Sequence, residues 1–386
     1  MERFVYRNPT ELVFGRGSVD LLSEYLPRLG RKVLFVYGKG SIRKIGLYDR
    51  VLVAARTAGV ELVEFPGIEP NPRVSTVRRA REEARRAGVE GILAVGGGSV
   101  IDAAKLIAVS HSYPGDPWEI VREPLRVTSA LPLGVVLTHA ATGSEMNANS
   151  VITNEETDEK LGWAHPLAYP LFSILDPHIT RSAPRDQTVY GVVDMMAHVL
   201  EQYFHDARNT PIQDAWQVSL LKEILAAGRK VVENLDDLDA RETLLLAGTL
   251  ALNGTLSLGL RGDWGVHAIE HALSAVYDIP HGAGLSVVYP AWMRYVAPRK
   301  PERFRRLFLE LFGTEDLEAG IRALEKAWRE LGAPVRLWQL GIADEARFPY
   351  LAQKAVAKEG ATTGRFAVLT AEDVEAIYRL AAMPLE

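Results

Sequence analysis

The sequence predicts a parallel α/β domain followed by an all-helical domain. In the first half, short β-branched apolar runs alternate with amphipathic stretches of ten or more residues. Glycine or proline bounds most of these runs. From about Asp186 onward, apolar residues recur at helical spacing and no strand rhythm returns. A chain of 386 residues suits this two-domain reading.

Taken in order, Phe4–Tyr6 and Leu12–Phe14 are two short β-like pieces. Strands follow at Lys32–Tyr37, Glu61–Phe65 and Gly91–Val95, separated by helices at Leu47–Ala58 and Val74–Ala87. Their nearly continuous apolar character predicts strands covered on both faces. Further strands are expected at Leu133–Leu137, Ser150–Thr153 and Phe172–Leu175. Val189, Val192, Val193 and Met196 then mark the clearest helical stripe. The turn RSAPRD ends in an aspartate able to cap the next helix, so the boundary is placed near Pro184, with domains 1–184 and 185–386.

Composition removes several function classes. Lys and Arg number 44 against 49 Asp and Glu, a net charge of −5, without the basic excess that binding to a nucleic-acid backbone requires. The absence of cysteine excludes disulfides, thiolate zinc sites, iron–sulfur clusters and cysteine nucleophiles. Any metal must therefore use histidine and carboxylates. Glu2, Arg3 and Arg7 stand where a secretory leader needs an apolar core, and no apolar run approaches the ~18 residues of a membrane span. The expectation is a cytoplasmic protein with no membrane partner.

Two glycine turns follow predicted strands. Gly96-Gly97-Gly98-Ser99, leading to Asp102 and Lys105, opens a helix whose backbone N–H groups and positive end suit a phosphate. It fits neither GxGxxG nor the P-loop pattern. Gly38-Lys39-Gly40-Ser41 follows the Lys32–Tyr37 strand, and two such cradles on one sheet edge suit a dinucleotide. The segment Thr138 to Asn147, with Thr142 and Ser144, follows another strand. It offers donors for a ribose, carboxamide or phosphate, and equally fits a capped helix start.

In the helical half, Asp194 and His198 lie four residues apart on one helix face, and His267 and His271 repeat the spacing. His281 follows in an HGxG motif. Four of nine histidines thus fall in three compact motifs with one carboxylate, ligand chemistry for a single divalent metal, Fe²⁺ or Zn²⁺. The spacing is not HExxH. Glu201 and Glu270 read as groups that orient ligands or as solvated charges. No GxSxG nucleophile elbow is present.

In this order, GGGSxxDxxK at Gly96–Lys105, ATGSEMN at Ala141–Asn147, GxxDxxxHxxE at Gly191–Glu201, GxHxxxH at Gly265–His271 and HGxG at His281–Gly284 resemble the iron-containing alcohol dehydrogenases. The likeness is strongest to the butanol dehydrogenase and aldehyde reductase branch. The resemblance spans nearly the whole chain. It implies a Rossmann-like dinucleotide-binding domain, a helical metal-binding domain and a metal in the cleft between them. It further implies Asp194, His198, His267 and His281 as metal ligands, and His271 as a catalytic-pocket histidine. Gly97, Gly98, Ser99, Asp102, Thr138, Thr142, Ser144 and Asn147 become pyrophosphate and nicotinamide-side contacts. Lys160 becomes a ribose contact and Asn71 a neighbour of the cofactor. The expected reaction is hydride transfer between a nicotinamide cofactor and a primary alcohol or aldehyde. The alternative is a cyclising lyase resembling dehydroquinate synthase, disfavoured because no cluster of Lys and Arg stands ready for a phosphorylated substrate. A non-catalytic nucleotide sensor would have little use for the Asp/His set.

The turn Gly38 to Lys44 contains no acidic residue and offers Lys39, Ser41 and Arg43, so NADP(H) is expected to be preferred over NAD(H). A homodimer is expected, with the two N-terminal β-like pieces pairing across subunits.

Overall fold

The computed structural model describes residues 1–357 and 360–384, apart from the side chain of Leu125. The chain forms two units. A sheet unit comprises Arg7–Ala183 and Asp236–Asn253, and a helical unit comprises Met1–Tyr6, Pro184–Leu235 and the chain from Gly254 onward. A boundary at Pro184 is thus joined by further crossings that one division into 1–184 and 185–386 does not contain.

In the sheet unit, β1 (Glu11–Phe14), β2 (Lys32–Tyr37), β3 (Glu61–Phe65), β4 (Gly91–Gly96) and β5 (Leu133–Leu137) precede a hairpin of β6 (Asn149–Asn154) and β7 (Glu159–Ala164), and β8 (Phe172–Leu175) follows. The main sheet has the order β1-β8-β5-β4-β2-β3, with every neighbouring pair parallel. Helices α1 (Leu47–Ala58), α2 (Val74–Ala87) and α3 (Gly98–Ser110) cover it. Alternation along β2 feeds both faces: Leu34 and Val36 join a core with Val77, Ala80 and Ile101, while Val33 and Phe35 join one with Val51 and Ala55.

The structure supplies the partners of two expected strands. Ser150–Thr153 lies in the separate antiparallel hairpin, where Asn149 pairs with Ala164 and Asn154 with Glu159. Only Val151 and Ile152 are apolar in β6, too few for burial on both faces, and the tight turn at 155–158 supplies an antiparallel partner instead. Leu12–Phe14 pairs with Ser173–Leu175 of the same chain. Phe4–Tyr6 forms no strand. Within the chain, β1 thus closes one edge of the main sheet, and Phe4–Tyr6 precedes it without strand pairing.

The helical unit begins with α4 (Arg185–Tyr203) and α5 (Pro211–Glu233). The chain returns to the sheet unit for α6 (Leu238–Leu252), then adds α7 (Gly265–Tyr277), α8 (His281–Val296), α9 (Pro301–Phe312), α10 (Leu317–Leu331), α11 (Phe348–Val356) and α12 (Ala371–Ala382). Among the described residues, the strands of this unit are one antiparallel pair of two residues each, Thr362–Thr363 and Leu369–Thr370. Among the described residues, no helix is long and apolar enough to cross a membrane.

Candidate active site

The helical unit collects the predicted metal-ligand residues from three helices. Asp194 and His198 project from α4, His267 and His271 from α7, and His281 is the first residue of α8. Asp194 Oδ1 lies 3.5 Å from His198 Nε2 and 3.7 Å from His281 Nε2. The rings of His198 and His267 are stacked at 4.9 Å, and those of His267 and His281 are 5.3 Å apart. One ligand atom each from Asp194, His267 and His281 lies within 4.8 Å of the others. The His271 ring is 5.3 Å from that of His281 and 6.2 Å from that of His267, at the border of the same group.

Two buried glutamates orient this set. Glu201 Oε1 accepts both the backbone N–H and the Nδ1 proton of His267, each at 2.9 Å. A carboxylate can only accept, so the proton sits on Nδ1 and the lone pair on Nε2. That Nε2 is buried without a hydrogen-bond partner. Glu270 pairs with His281 Nδ1 in the same sense, and itself receives the Ser274 hydroxyl. Burial, with His267 and His281 nearby, drives the His198 pKa well below the ordinary imidazole value, leaving it neutral as a ligand must be. Three imidazoles, one carboxylate and two carboxylate–histidine pairs fit Fe²⁺ or Zn²⁺.

The HGxG motif has a packing reason. A Cβ on Gly282 would stand 2.1 Å from the Tyr190 carbonyl oxygen of α4, and one on Gly284 would stand 2.6 Å from Glu270 Oε1. Both glycines let α8 approach closely enough for His281 to meet Asp194.

Two residues that sequence reasoning passed over complete the centre. Asp263 Oδ1 accepts the backbone N–H groups of Arg365 and Ala367, at 2.7 and 2.9 Å. Burial, then the neighbouring Glu201 carboxylate, pushes its carboxyl up to about 7. Trp264, just before α7, is held by a 2.6 Å hydrogen bond from its N–H to Glu201 Oε2. Its ring lies 5.3 Å from that of His267 and 6.3 Å from that of His198. Its position beside Gly265 in the DWGVH segment was the available signal.

In the sheet unit, the turns carrying Gly38, Lys39, Gly40 and Ser41 and carrying Gly97, Gly98 and Ser99 follow the adjacent strands β2 and β4. No side chain caps the first turn of α3, whose N–H groups remain suited to an anion. Thr138 follows β5, its N–H bonded to the Gly96 carbonyl, and the Thr142 hydroxyl accepts the Ser144 N–H. Lys160 donates to Asn71 Oδ1 at 2.9 Å. Lys39 and Ser41 are exposed.

Asp102, Ser144 and Asn147 belong to a buried knot. Asp102 accepts the Ser144 hydroxyl at 2.6 Å and the Val151 N–H at 2.9 Å, and burial raises its pKa. The fully buried Lys105 ammonium donates to the Ser144 carbonyl and hydroxyl, Asn147 Oδ1 and the Asn149 carbonyl. Burial brings its pKa down to about 8. Asn147 also donates to the Gly143 and Leu252 carbonyls and accepts the Asn149 N–H. Its amide oxygen and both amide protons are thus engaged within the chain, where they shape the loop.

At the far end of β3, the sequence reading missed Glu64. It accepts the hydroxyls of Tyr37 and Tyr48 and pairs with Arg43 at 3.2 Å, while Arg43 stacks 3.5 Å above the Tyr48 ring. An acid therefore stands beside the Gly38 turn, supplied by the neighbouring strand, and it occupies Arg43.

Comparison with known proteins agrees with the donor set. The chain matches "Iron-containing alcohol dehydrogenase" over residues 9–177 and "Fe-containing alcohol dehydrogenase family, C-terminal" over residues 188–382. It is 49% identical to a probable NADH-dependent butanol dehydrogenase 1 of Bacillus subtilis, covering 98% of this chain and 99% of the relative. The NADPH-dependent aldehyde reductase YqhD of Escherichia coli is 36% identical, over 92% of this chain and 93% of the relative. The crystal structure of NADH-dependent butanol dehydrogenase A from Thermotoga maritima superposes with a TM-score of 0.95 at 43% identity, covering 99% of both chains. The cyclising lyase is not favoured by these relatives. Together with the donor set, they establish that the chain belongs to the iron-containing alcohol dehydrogenase family.

Proposed function

We propose that this protein reduces short primary aldehydes, of the size of butanal, and oxidises the corresponding alcohols in the cytoplasm, using one divalent metal and NAD(H). The observation that carries this reading is the buried, partnerless Nε2 of His267, set by Glu201 among the other donors. Asp194, His198, His267 and His281 hold the metal. When bound, the metal supplies Lewis-acid polarisation of a substrate oxygen, and the nicotinamide supplies or receives hydride. Glu201 and Glu270 keep two imidazoles in the ligating tautomer. His271 exchanges the alcohol proton at an imidazole nitrogen, and the uncapped start of α3 receives the pyrophosphate.

The expected preference for NADP(H) draws no support from the two butanol dehydrogenases, which are named for NADH. Arg43 is engaged by Glu64, leaving Lys39 and Ser41 to meet a 2′-phosphate, so NAD(H) becomes the preferred reading. A homodimer remains part of the proposal, supported by the exposed Phe4, Val5 and Tyr6.

The test is the initial rate of metal-free and metal-reconstituted protein with NADH and NADPH across aldehydes of two to eight carbons. Turnover should require metal and kcat/KM should favour NADH. Lys39→Ala should lower NADPH use while sparing NADH. Equal activity without metal, or a clear NADPH preference, would overturn the corresponding part. Light scattering that shows a monomer at micromolar concentration would remove the dimer.

A further inference from the structure

We infer that Trp264 is the specificity-determining residue of the metal centre, and that it selects unbranched primary alkyl aldehydes and alcohols over branched or aryl ones. The inference rests on the proposed alcohol dehydrogenase reading of that site.

Trp264 has φ +64°, the left-handed region that a bulky aromatic residue avoids and glycine occupies without strain. Such a conformation persists only where the surroundings impose it, and residues of this kind gather at functional sites. Here the imposing contacts are explicit. The Trp264 N–H is held by Glu201 Oε2, and its carbonyl accepts the Ala268 N–H at 3.3 Å. The following Gly265 is packed so tightly that a Cβ would lie 2.9 Å from Asp263 Oδ2 and 3.2 Å from Gly364 Cα.

Glycine would satisfy the backbone at position 264, so the indole is what the strain retains. It is partly exposed, and it meets the ring of His267 edge to face. An apolar wall beside a polar donor set favours a carbon chain over water and polyols. The wall is also fixed. An indole has only two side-chain torsions, and its backbone is pinned by the carboxylate that orients His267, which limits how far it can give way to a branch.

Trp264→Gly keeps the backbone conformation accessible, which separates loss of the indole from loss of the fold, and Trp264→Phe keeps a smaller ring. With the metal-loaded proteins and NADH, kcat/KM is compared for butanal, 2-methylbutanal and benzaldehyde. The ratio of branched or aryl to linear substrate should rise tenfold or more in Trp264→Gly, with Trp264→Phe between. A second readout is independent of turnover: titrating Fe²⁺ into metal-free protein should quench a tryptophan emission component that Trp264→Phe lacks. Ratios unchanged while every kcat/KM falls together would make Trp264 merely structural and overturn the inference. So would quenching equally large in Trp264→Phe. A wild type inactive on every aldehyde would sink the parent reading and this one with it, whereas an active wild type with unchanged ratios in the variants would sink this one alone.

Discussion

Glu201 accepts from His267 Nδ1, from the His267 N–H and from the Trp264 N–H, so one carboxylate holds both a ligand ring and the start of the helix that carries it. Glu201→Ala should weaken metal affinity by roughly 10–100-fold, the range for losing a group that orients a ligating histidine, as read by competition with a chelator. Asp194→Ala should weaken it further, because Asp194 is the only anionic member of the proposed ligand set. Unchanged metal content in either variant would refute the assignment. Asp263 supports a different prediction. Its folded-state pKa is raised, so the folded protein keeps a proton that the unfolded chain releases, and folding stability falls as pH rises from about 4 to about 7. The slope from this group is about 1.4 kcal/mol per pH unit. Asp263→Asn removes it, so in metal-free protein the variant should melt increasingly above the wild type as pH rises through that window, and by a constant margin beyond it. Parallel melting curves across pH would contradict this. At this scale the ligating histidines and Asp194 were legible because i, i+4 spacing puts side chains on one face. Asp263 and Trp264 were not, because their roles depend on Arg365, Ala367 and Glu201, distant in sequence.

Among elements, α3 and the loop that follows β5 are joined by Lys105. Replacing it with methionine preserves the apolar stem but leaves the buried carbonyls of Ser144 and Asn149 without their donor. Lys105→Met should destabilise the protein by about 2–3 kcal/mol, the range for a charged buried hydrogen-bonding group, as measured by urea unfolding. It should also raise KM for NADH, if the loop shapes the cofactor site. A loss below about 0.5 kcal/mol, the scale of an ordinary surface change, would show that water or another donor replaces the ammonium. The parallel strands were readable because burial on both faces writes itself as continuous apolar runs. The β6–β7 hairpin was not, since β6 has two apolar residues flanked by Asn149, Thr153 and Asn154, a pattern that fits an edge hairpin as readily as a sheet strand. Glu64 escaped for a related reason: the search for an acid followed the β2 turn along the chain, while the sheet brings one in from β3 sideways.

For the molecule as a whole, the proposed metal ligands all fall in the helical unit, and the proposed nucleotide contacts all fall in the sheet unit. Stripping the metal with a chelator should therefore abolish turnover and remove the binding free energy from folding stability, read as a lower melting temperature, while calorimetric NADH binding persists. Loss of NADH binding along with the metal would show that the sheet unit depends on the loaded centre. The division into these units carries a further consequence. Five segments alternate between them, and α6 belongs with the sheet although it is made after the first two long helices of the other unit. Thr249 of α6 gives its hydroxyl to the buried Glu145 carboxylate at 2.6 Å, and Leu252 gives its carbonyl to Asn147. A ribosome that has finished β8 has therefore not finished the sheet unit, and α4 and α5 emerge before the residues that complete it. A chimaera joined at Pro184 would inherit a sheet from one parent and its last covering helix from the other. Recombination between relatives should preserve folding only when 236–253 travels with the N-terminal parent.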